Sequence, residues 1–307
     1  MIVIACDIPE IEKVLIKVFE KFAPHDQFCT LDSLEAKYAT TAACWFPNFE
    51  KLQTLPNLQL IHSIAAGVEH LNLDVLAPHY HVCRVLDEHH QEGMLDYVLW
   101  GVLYFQRFFD LARQQQQQQF WKQYPQKYRR DIQVGIMGLG HMGGYVAQGL
   151  ATLGYAVSGW SKSHKNLSNI DCYSGEEELP EFLAKSQIVI NLLPLTHENR
   201  GLLNQSFFAQ LPKGSALIHC GRGQHLIQQD LLHVLDTGQL RGAILDVFDD
   251  EPLVKEHPYW QHEKIVVTPH IASHAPMSVV VAQILQNDQA LQQQLPLKHV
   301  VDRVKGY

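Results

Sequence analysis

The chain has 307 residues, 46% of them hydrophobic and 18% charged, which is typical of a globular protein and excludes a disordered one. This length is large for one compact core and favours two domains. The formal net charge of −8 argues against a general nucleic-acid or anionic-membrane partner.

Cysteine usage and the chain start indicate the compartment. We interpret the six scattered cysteines, none with CxxC spacing, as reduced thiols, and we expect no metal site. The start "MIVIACDIPE" lacks a basic region, which argues against a secretory signal. No apolar run reaches the roughly 18 residues of a membrane span. A cytoplasmic protein is predicted.

The first third of the chain has an α/β pattern without a phosphate-binding loop. Residues 1–6 read as a buried strand and residues 9–22 as an amphipathic helix. Further strands are predicted at 40–46, 58–65 and 81–86.

A long helical pattern follows at residues 96–121, and its start is apolar nearly all round. We expect that start to be buried between domains or subunits. The run Gln114–Gln119 is interpreted as a solvated helix end or arm, although glutamine tracts can also signal aggregation or disorder.

Short apolar runs then alternate with helical segments, which predicts βαβ units and a parallel sheet. Strands are predicted at 132–138, 155–160, 187–193, 215–220, 242–248 and 264–270. Helices are predicted at 141–154, 177–186, 204–211 and 228–239. We expect a last helix at 279–295 to pack back on the first domain.

A glycine-rich turn links the first of these strands to its helix, with GxGxxG spacing at Gly138, Gly140 and Gly143. Gly138 permits the tight turn, Gly140 lets the backbone approach a pyrophosphate, and Gly143 allows close helix–strand packing. The amides of His141 and Met142 are predicted to point at phosphate. A ligand-free turn is the alternative.

The next strand ends without the acid that binds the adenosine ribose of NAD. Ser161 stands there instead, followed by Lys162, His164 and Lys165. Hydroxyl and ammonium groups suit a 2′-phosphate, so NADP(H) is preferred and NAD(H) is possible. The alternative is a merely basic turn that leaves cofactor choice undecided.

Charged side chains follow three successive strands: Arg222, then Asp246 and Glu251, then His270. Ligands of open α/β sheets bind at that edge. Arg222 can grip a carboxylate, His270 can exchange a proton, and Glu251 can orient the imidazole and favour its charged form. Taken singly, each of these residues also has a purely structural explanation; His270, for example, is only one of 18 histidines in the chain. Together they indicate chemistry.

The motifs carry a resemblance over nearly the whole chain. GxGxxG, "NLLPLTHENRGLLN", "GRG", "LDVFDDEPL" and "TPHIAS" resemble the D-isomer-specific 2-hydroxyacid dehydrogenase family. "GIMGLG", "WSK", Trp45-x-Pro47 and the tail "VDRVKGY" are most similar to its glyoxylate/hydroxypyruvate reductase A type.

The resemblance implies two domains of the α/β class. A smaller flavodoxin-like substrate domain would span residues 1–97, with 275–307 packing back on it. A Rossmann-type doubly wound parallel sheet at 98–274 would bind the cofactor. Homodimers through the cofactor domain are usual in the family.

The resemblance also implies residue roles. Arg222 would bind the carboxylate of a 2-oxo acid and polarise its ketone, and His270 would be the general acid with Glu251 behind it. Trp45 would line the pocket. The amides of Ala66 and Gly67 would hold the substrate, although Ala65 replaces the glycine usual in that loop. The remaining cofactor contacts would be Leu193, Pro194, Cys220, Gly221, Asp246 and His270.

The implied reaction is reduction of glyoxylate or hydroxypyruvate to glycolate or D-glycerate. Another D-2-hydroxyacid dehydrogenase, of the D-lactate or D-3-phosphoglycerate type, is one alternative. A non-catalytic dinucleotide-sensing protein on the same fold is a second. The glycines beside Arg222 are expected to keep side chains away from nicotinamide and substrate.

Overall fold

The computed structural model describes residues 1–303 and forms two compact units. The first contains Met1–His90 and the segment that begins at His274, and the second contains Gln91–Ser273. The sequence places these divisions at 97/98 and 274/275. In the structure the second unit already begins at Gln91, because the side-chain amide nitrogen of Gln91 lies 2.9 Å from both Nδ1 and the carbonyl oxygen of His141 in that unit. The end of the tail motif lies outside the described residues.

The regular elements follow in chain order. The strands are β1 (Ile2–Cys6), β2 (Phe28–Thr30), β3 (Thr41–Trp45), β4 (Leu60–Ser63), β5 (His81–Cys83), β6 (Gln133–Met137), β7 (Ala156–Ser161), β8 (Asp171–Ser174), β9 (Ile188–Asn191), β10 (Ser215–His219), β11 (Leu240–Leu245) and β12 (Ile265–Val267). The helices are α1 (Pro9–Phe22), α2 (Phe49–Gln53), α3 (Glu88–Gln106), α4 (Phe109–Gln117), α5 (His141–Thr152), α6 (Gly175–Lys185), α7 (Gln205–Ala209), α8 (Gln228–Asp236) and α9 (Met277–Gln292).

The first unit is built on a parallel five-stranded sheet with the order β2-β1-β3-β4-β5. This is the 2-1-3-4-5 order of flavodoxin-like folds. Every residue of β1 is buried, as expected for a strand covered on both faces. Helices α1 and α9 contact each other and contribute Phe19 and Ile284 to one core cluster, so the C-terminal helix completes this unit.

The second unit is built on a parallel seven-stranded sheet with the order β12-β11-β10-β9-β6-β7-β8. Counted within the unit, this is the Rossmann order 3-2-1-4-5-6 with one further strand. The order reverses between β6 and β9, which is where ligands of such sheets bind. The predicted fold class is confirmed.

Several local predictions differ from the structure, including helix α2, which was not predicted, and the start of α3 at Glu88. Strands β2 and β8 are missed, because both are short edge strands without an apolar run. The predicted single helix at 96–121 is divided between α3 and α4 by Phe108, which has a φ of 59°. Its ring stacks on Tyr124, and α4 is fixed by a bidentate ion pair between Asp110 and Arg241.

None of the helices within residues 1–303 combines the length and apolar character needed to cross a bilayer. All six cysteines lie in the described part of the chain, and none forms a disulfide.

Candidate active site

The turn between β6 and α5 needs glycine at two positions. Gly138 has a φ of 98°, and a Cβ atom there would lie 2.9 Å from the carbonyl oxygen of Leu192. A Cβ atom at Gly143 would lie 1.8 Å from the carbonyl oxygen of Gly138. The first glycine therefore permits the left-handed turn, and the third permits the helix to pack against it.

The middle glycine leaves space for a ligand. Gly140 is the N-cap of α5, and a Cβ atom there would meet nothing within 4 Å. His141 and Met142 begin the helix, where backbone amides lack intrahelical partners and attract anions. The bonds from Gln91 fix the His141 end of the helix. An exposed helix start beside an open backbone fits the pyrophosphate of a dinucleotide.

The residues predicted to favour NADP(H) over NAD(H) lie at the end of β7. The Ser161 hydroxyl donates to the carbonyl oxygen of Ser163 over 2.8 Å, so its hydrogen is already used. Lys162 Nζ lies 2.5 Å from Glu198 Oε2, and both side chains are exposed. The hydrogen bond from Lys162 lowers the pKa of Glu198. The sequence prediction missed Glu198, which shares the lysine expected to meet a 2′-phosphate.

The loop after β10 carries Arg222 and is tightly packed. The guanidinium Nη1 donates to the carbonyl oxygen of Gly221 over 2.7 Å. A Cβ atom at Gly221 would lie 2.8 Å from Asn191 Nδ2, and one at Gly223 would lie 1.9 Å from the carbonyl carbon of Phe248. The glycines are therefore required by the protein's own packing, whatever they do for a ligand.

A buried polar cluster, which sequence reasoning missed, supports this loop. It consists of Asn191, His219 and His225, all fully buried. Asn191 Nδ2 lies 3.2 Å from Nδ1 of each histidine, and the Arg222 amide donates to His225 Nδ1 over 3.0 Å. The amide of Leu193 donates to Asn191 Oδ1, and that of Cys220 to the Asn191 carbonyl. Leu193 and Cys220, both predicted cofactor contacts, are thereby held by Asn191.

Two fully buried histidines make stability depend on pH. Burial lowers the pKa of His62 to about 4 and that of His219 to about 3, from an ordinary 6.5. The unfolded chain therefore binds more protons between about pH 6.5 and pH 4, so the free energy of unfolding is expected to decrease as pH falls through that window.

Urea denaturation at pH 7.5 and pH 5 measures this decrease. His219→Gln is expected to weaken the pH dependence. His79→Gln, at an exposed histidine, should leave it unchanged. Equal pH dependence in the wild type and the His219 variant would contradict the assignment.

The Glu251–His270 pair is formed. His270 Nδ1 lies 2.7 Å from Glu251 Oε2, with the side chains 45% and 35% exposed. Glu251 Oε1 accepts the Phe248 amide over 3.0 Å. Burial alone would raise the pKa of Glu251, but the hydrogen bonds from His270 and Phe248 and the charges of His270 and Arg222 lower it. A carboxylate can only accept, so Nδ1 carries a hydrogen and Nε2 faces away from Glu251.

Asp246 has protein partners in addition to its predicted cofactor contact. Its side chain is 1% exposed and accepts hydrogen bonds from the Thr268 hydroxyl and the amides of Ile271 and Ala272. These residues flank His270. Sequence reasoning missed Thr268 in this role.

The first unit contains the other predicted substrate residues. Ser63 Oγ lies 2.8 Å from the carbonyl oxygen of Gly67 and 3.0 Å from the amide of Ala65, which holds the loop after β4 in shape. Arg84 Nη1 donates to the carbonyl oxygen of Ala66 over 3.3 Å. Alanine at position 65 is thus accommodated. Trp45 ends β3, and its ring lies 4.5 Å from that of His70.

The second unit brings the predicted charged residues together at the carboxyl edge of its parallel sheet. Arg222, Asp246 and His270 follow β10, β11 and β12, which are neighbours in the parallel sheet. Glu251 is the fourth member, because its carboxylate is hydrogen-bonded to His270. Within residues 1–303, no group of three His, Cys, Asp or Glu residues could hold a metal ion.

Residues 99–272 match the family model of the D-isomer specific 2-hydroxyacid dehydrogenase, NAD binding domain. The chain belongs to the D-isomer-specific 2-hydroxyacid dehydrogenase family, which confirms the resemblance. Its second unit corresponds to the nicotinamide dinucleotide-binding domain of that family.

Solved structures cover essentially the whole chain. A family member from Klebsiella pneumoniae 342 is 45% identical, with a TM-score of 0.92, over 99% of this chain and 97% of that one. One from Xanthobacter autotrophicus Py2, in complex with NADPH and MES, is 31% identical, with a TM-score of 0.91, over 100% and 99%. The NADPH-dependent glyoxylate/hydroxypyruvate reductase from Sinorhizobium meliloti, in complex with NADP and sulfate, is 29% identical, with a TM-score of 0.87, over 100% and 99%.

Proposed function

We propose that this protein reduces small 2-oxo acids, glyoxylate and hydroxypyruvate, to glycolate and D-glycerate, with NADPH as the preferred cofactor. One observation carries the proposal. The hydrogen-bonded Glu251–His270 pair and Arg222 occupy the same carboxyl edge of the sheet as the glycine turn of α5. An acid, a carboxylate-binding cation and a dinucleotide loop are the parts that this reduction requires.

Arg222 binds the substrate carboxylate. A guanidinium presents five N–H donors in a planar fork that matches a carboxylate. Two hydrogen bonds hold Arg222 in the loop: its Nη1 donates to the Gly221 carbonyl, and its backbone amide donates to His225 Nδ1. The remaining donors of the guanidinium bind the anion. Pinning one end of a two- or three-carbon substrate orients its 2-oxo group, and such orientation supplies a large part of the rate gain.

His270 delivers the proton. With Nδ1 bonded to Glu251, the proton on Nε2 of the charged ring passes to the carbonyl oxygen of the substrate. When bound, the nicotinamide would supply the hydride for C2, so that the carbonyl becomes the hydroxyl of glycolate or D-glycerate. The charge that develops on the oxygen is stabilised by the imidazolium and by Arg222. Glu251 balances the positive charge and orients the ring.

The cofactor preference has two supports. No acid ends β7, and Ser161 and Lys162 occupy its place. The relatives from Xanthobacter and Sinorhizobium were crystallised with NADPH and NADP. In this proposal Lys162 exchanges Glu198 for the 2′-phosphate, while Pro194 and Gly221 lie along the nicotinamide half. The contributions of Trp45, Ala66 and Gly67 to the substrate site remain predictions.

A spectrophotometric panel tests the function. We expect NADPH oxidation with glyoxylate and hydroxypyruvate at higher kcat/KM than with pyruvate or 3-phosphohydroxypyruvate. Greater activity with either of the last two would favour a D-lactate or D-3-phosphoglycerate type enzyme. Tight NADPH binding without turnover of any 2-oxo acid would indicate a dinucleotide-sensing protein.

The same panel with NADH tests the cofactor preference. The kcat/KM with NADPH is expected to exceed that with NADH by about 10-fold or more, since a charge-assisted phosphate contact contributes 1.5–3 kcal/mol. Lys162→Glu is expected to abolish this advantage, and Lys213→Glu, at an exposed lysine before β10 and so at the opposite edge of the sheet, serves as a matched control. Equal or better use of NADH by the wild type would reject the preference.

Homodimer formation and cytoplasmic location also remain predictions. Exposed aromatic residues between positions 100 and 121 of the second unit support a dimer, because such groupings mark protein contacts. They are Trp100, Phe109, Phe120 and Trp121.

A further inference from the structure

The turn that carries His270 has a conformation that must be held in place. His270 has a φ of 53°, which is uncommon for a residue with a side chain, and its amide donates to the Thr268 carbonyl. Its imidazole is 45% exposed, so packing alone does not fix the ring. The segment 268–273 therefore depends on specific hydrogen bonds.

Asp246 supplies these bonds on both sides of His270. Its Oδ1 accepts the Ile271 amide and its Oδ2 accepts the Ala272 amide, each over 2.9 Å. Oδ1 also accepts the Thr268 hydroxyl over 2.6 Å. One buried carboxylate thus links the residues before and after His270.

The direction of the next hydrogen bond follows from this arrangement. A carboxylate accepts and cannot donate, so the single hydrogen of the Thr268 hydroxyl goes to Asp246. Tyr97 Oη lies 2.6 Å from Thr268 Oγ1 and must be the donor there. Burial raises the pKa of Tyr97, which keeps that hydrogen in place. The chain of donors runs from Tyr97 through Thr268 to Asp246.

Helix α3 brings Tyr97 to this position. Gly93 lies four residues earlier on the same face of the helix. A Cβ atom at Gly93 would lie 2.7 Å from Ser273 Oγ, so the helix backbone closely approaches the far end of the segment. One helix face therefore contacts both Thr268 and Ser273.

We propose that Tyr97 is a positioning residue for proton transfer by His270, acting through Thr268 and Asp246. This inference rests on the proposed function, in which His270 protonates the carbonyl oxygen of the substrate. Loss of the tyrosine hydroxyl leaves the ring packed but removes the donor that orients Thr268. The turn then holds the imidazole less accurately, which lowers kcat more than it changes the KM for NADPH.

The test compares two hydroxyl deletions with matched controls. Tyr97→Phe and Thr268→Val interrupt the chain, and Thr268→Ser retains it. Tyr155→Phe removes another buried tyrosine hydroxyl of the same unit, which donates to Gln106 over 2.7 Å. Steady-state kinetics, melting temperature and hydrogen exchange of the amides in 268–273 are measured for each variant.

We expect kcat to fall about 10-fold in Tyr97→Phe and about 100-fold in Thr268→Val, in line with the cost of small misplacements. Thr268→Ser should stay near wild type. Exchange at Ile271 and Ala272 should accelerate in the two chain-breaking variants. In Tyr155→Phe the melting temperature should fall while kcat and this exchange stay unchanged.

Two outcomes would overturn the inference: a kcat for Tyr97→Phe equal to that of Tyr155→Phe, or unchanged exchange at Ile271 and Ala272. Exchange is measured without substrate. If the wild type reduces no 2-oxo acid, the proposed function fails, and the exchange rates still decide whether Tyr97 holds the turn.

Discussion

Replacing His270 with alanine is expected to lower kcat for 2-oxo acid reduction by about 10²–10⁴-fold, the range contributed by a positioned general acid. The Kd for NADPH should change little, because the glycine turn of α5 is separate from the imidazole. Stopped-flow measurement of hydride transfer, together with fluorescence titration of NADPH, separates the two effects.

The structure offers a matched histidine for this experiment. His262 precedes β12, whereas His270 follows it, and His262 also pairs with a carboxylate, 3.5 Å from Asp236. His262→Ala should therefore keep nearly full activity. Glu251→Gln should give an intermediate loss, since the ring keeps a hydrogen-bond partner but loses the opposite charge. Retained turnover in His270→Ala would assign the proton donor elsewhere.

Replacing Arg222 with alanine is expected to reduce kcat/KM for glyoxylate by about 100- to 1000-fold, comparable to the loss of one transition-state donor. Both parameters should change: KM rises because the carboxylate loses its partner, and kcat falls because the aldehyde carbonyl is no longer oriented and polarised. The kinetics are followed by NADPH absorbance over a wide range of glyoxylate concentration.

Arg222→Lys distinguishes charge from geometry. An ammonium keeps the positive charge but cannot form the bidentate fork, so most of the loss should remain. Arg200→Ala, at an exposed arginine of the same unit, should leave both parameters near wild type. An unchanged kcat/KM in Arg222→Ala would remove this residue from the mechanism.

Much of the fold could be predicted from the sequence because its buried parallel strands are continuous apolar runs. Helix α1 coincides with the predicted residues 9–22, and the predicted strand at 215–220 corresponds to β10. The edge strands β2 and β8 could not be found this way, since a half-covered strand of three or four residues leaves no clear pattern. The interruption at Phe108 is accompanied by a positive φ and by stacking on Tyr124, a residue beyond α4 whose contact the helical pattern does not reveal.

The sequence by itself determined which chemical groups stand at the strand ends: Arg222, Glu251 and His270, and a glycine turn with the required spacing. Strand ends can be located from local patterns, so these residues could be named without coordinates. Only the tertiary structure decided which groups meet. Asp246, Thr268 and Tyr97 are far apart in the chain, and the hydrogen bonds that connect them depend on sheet order and helix packing. For the same reason, the glycines beside Arg222 are explained by the atoms of Asn191 and Phe248, which the sequence does not place next to them.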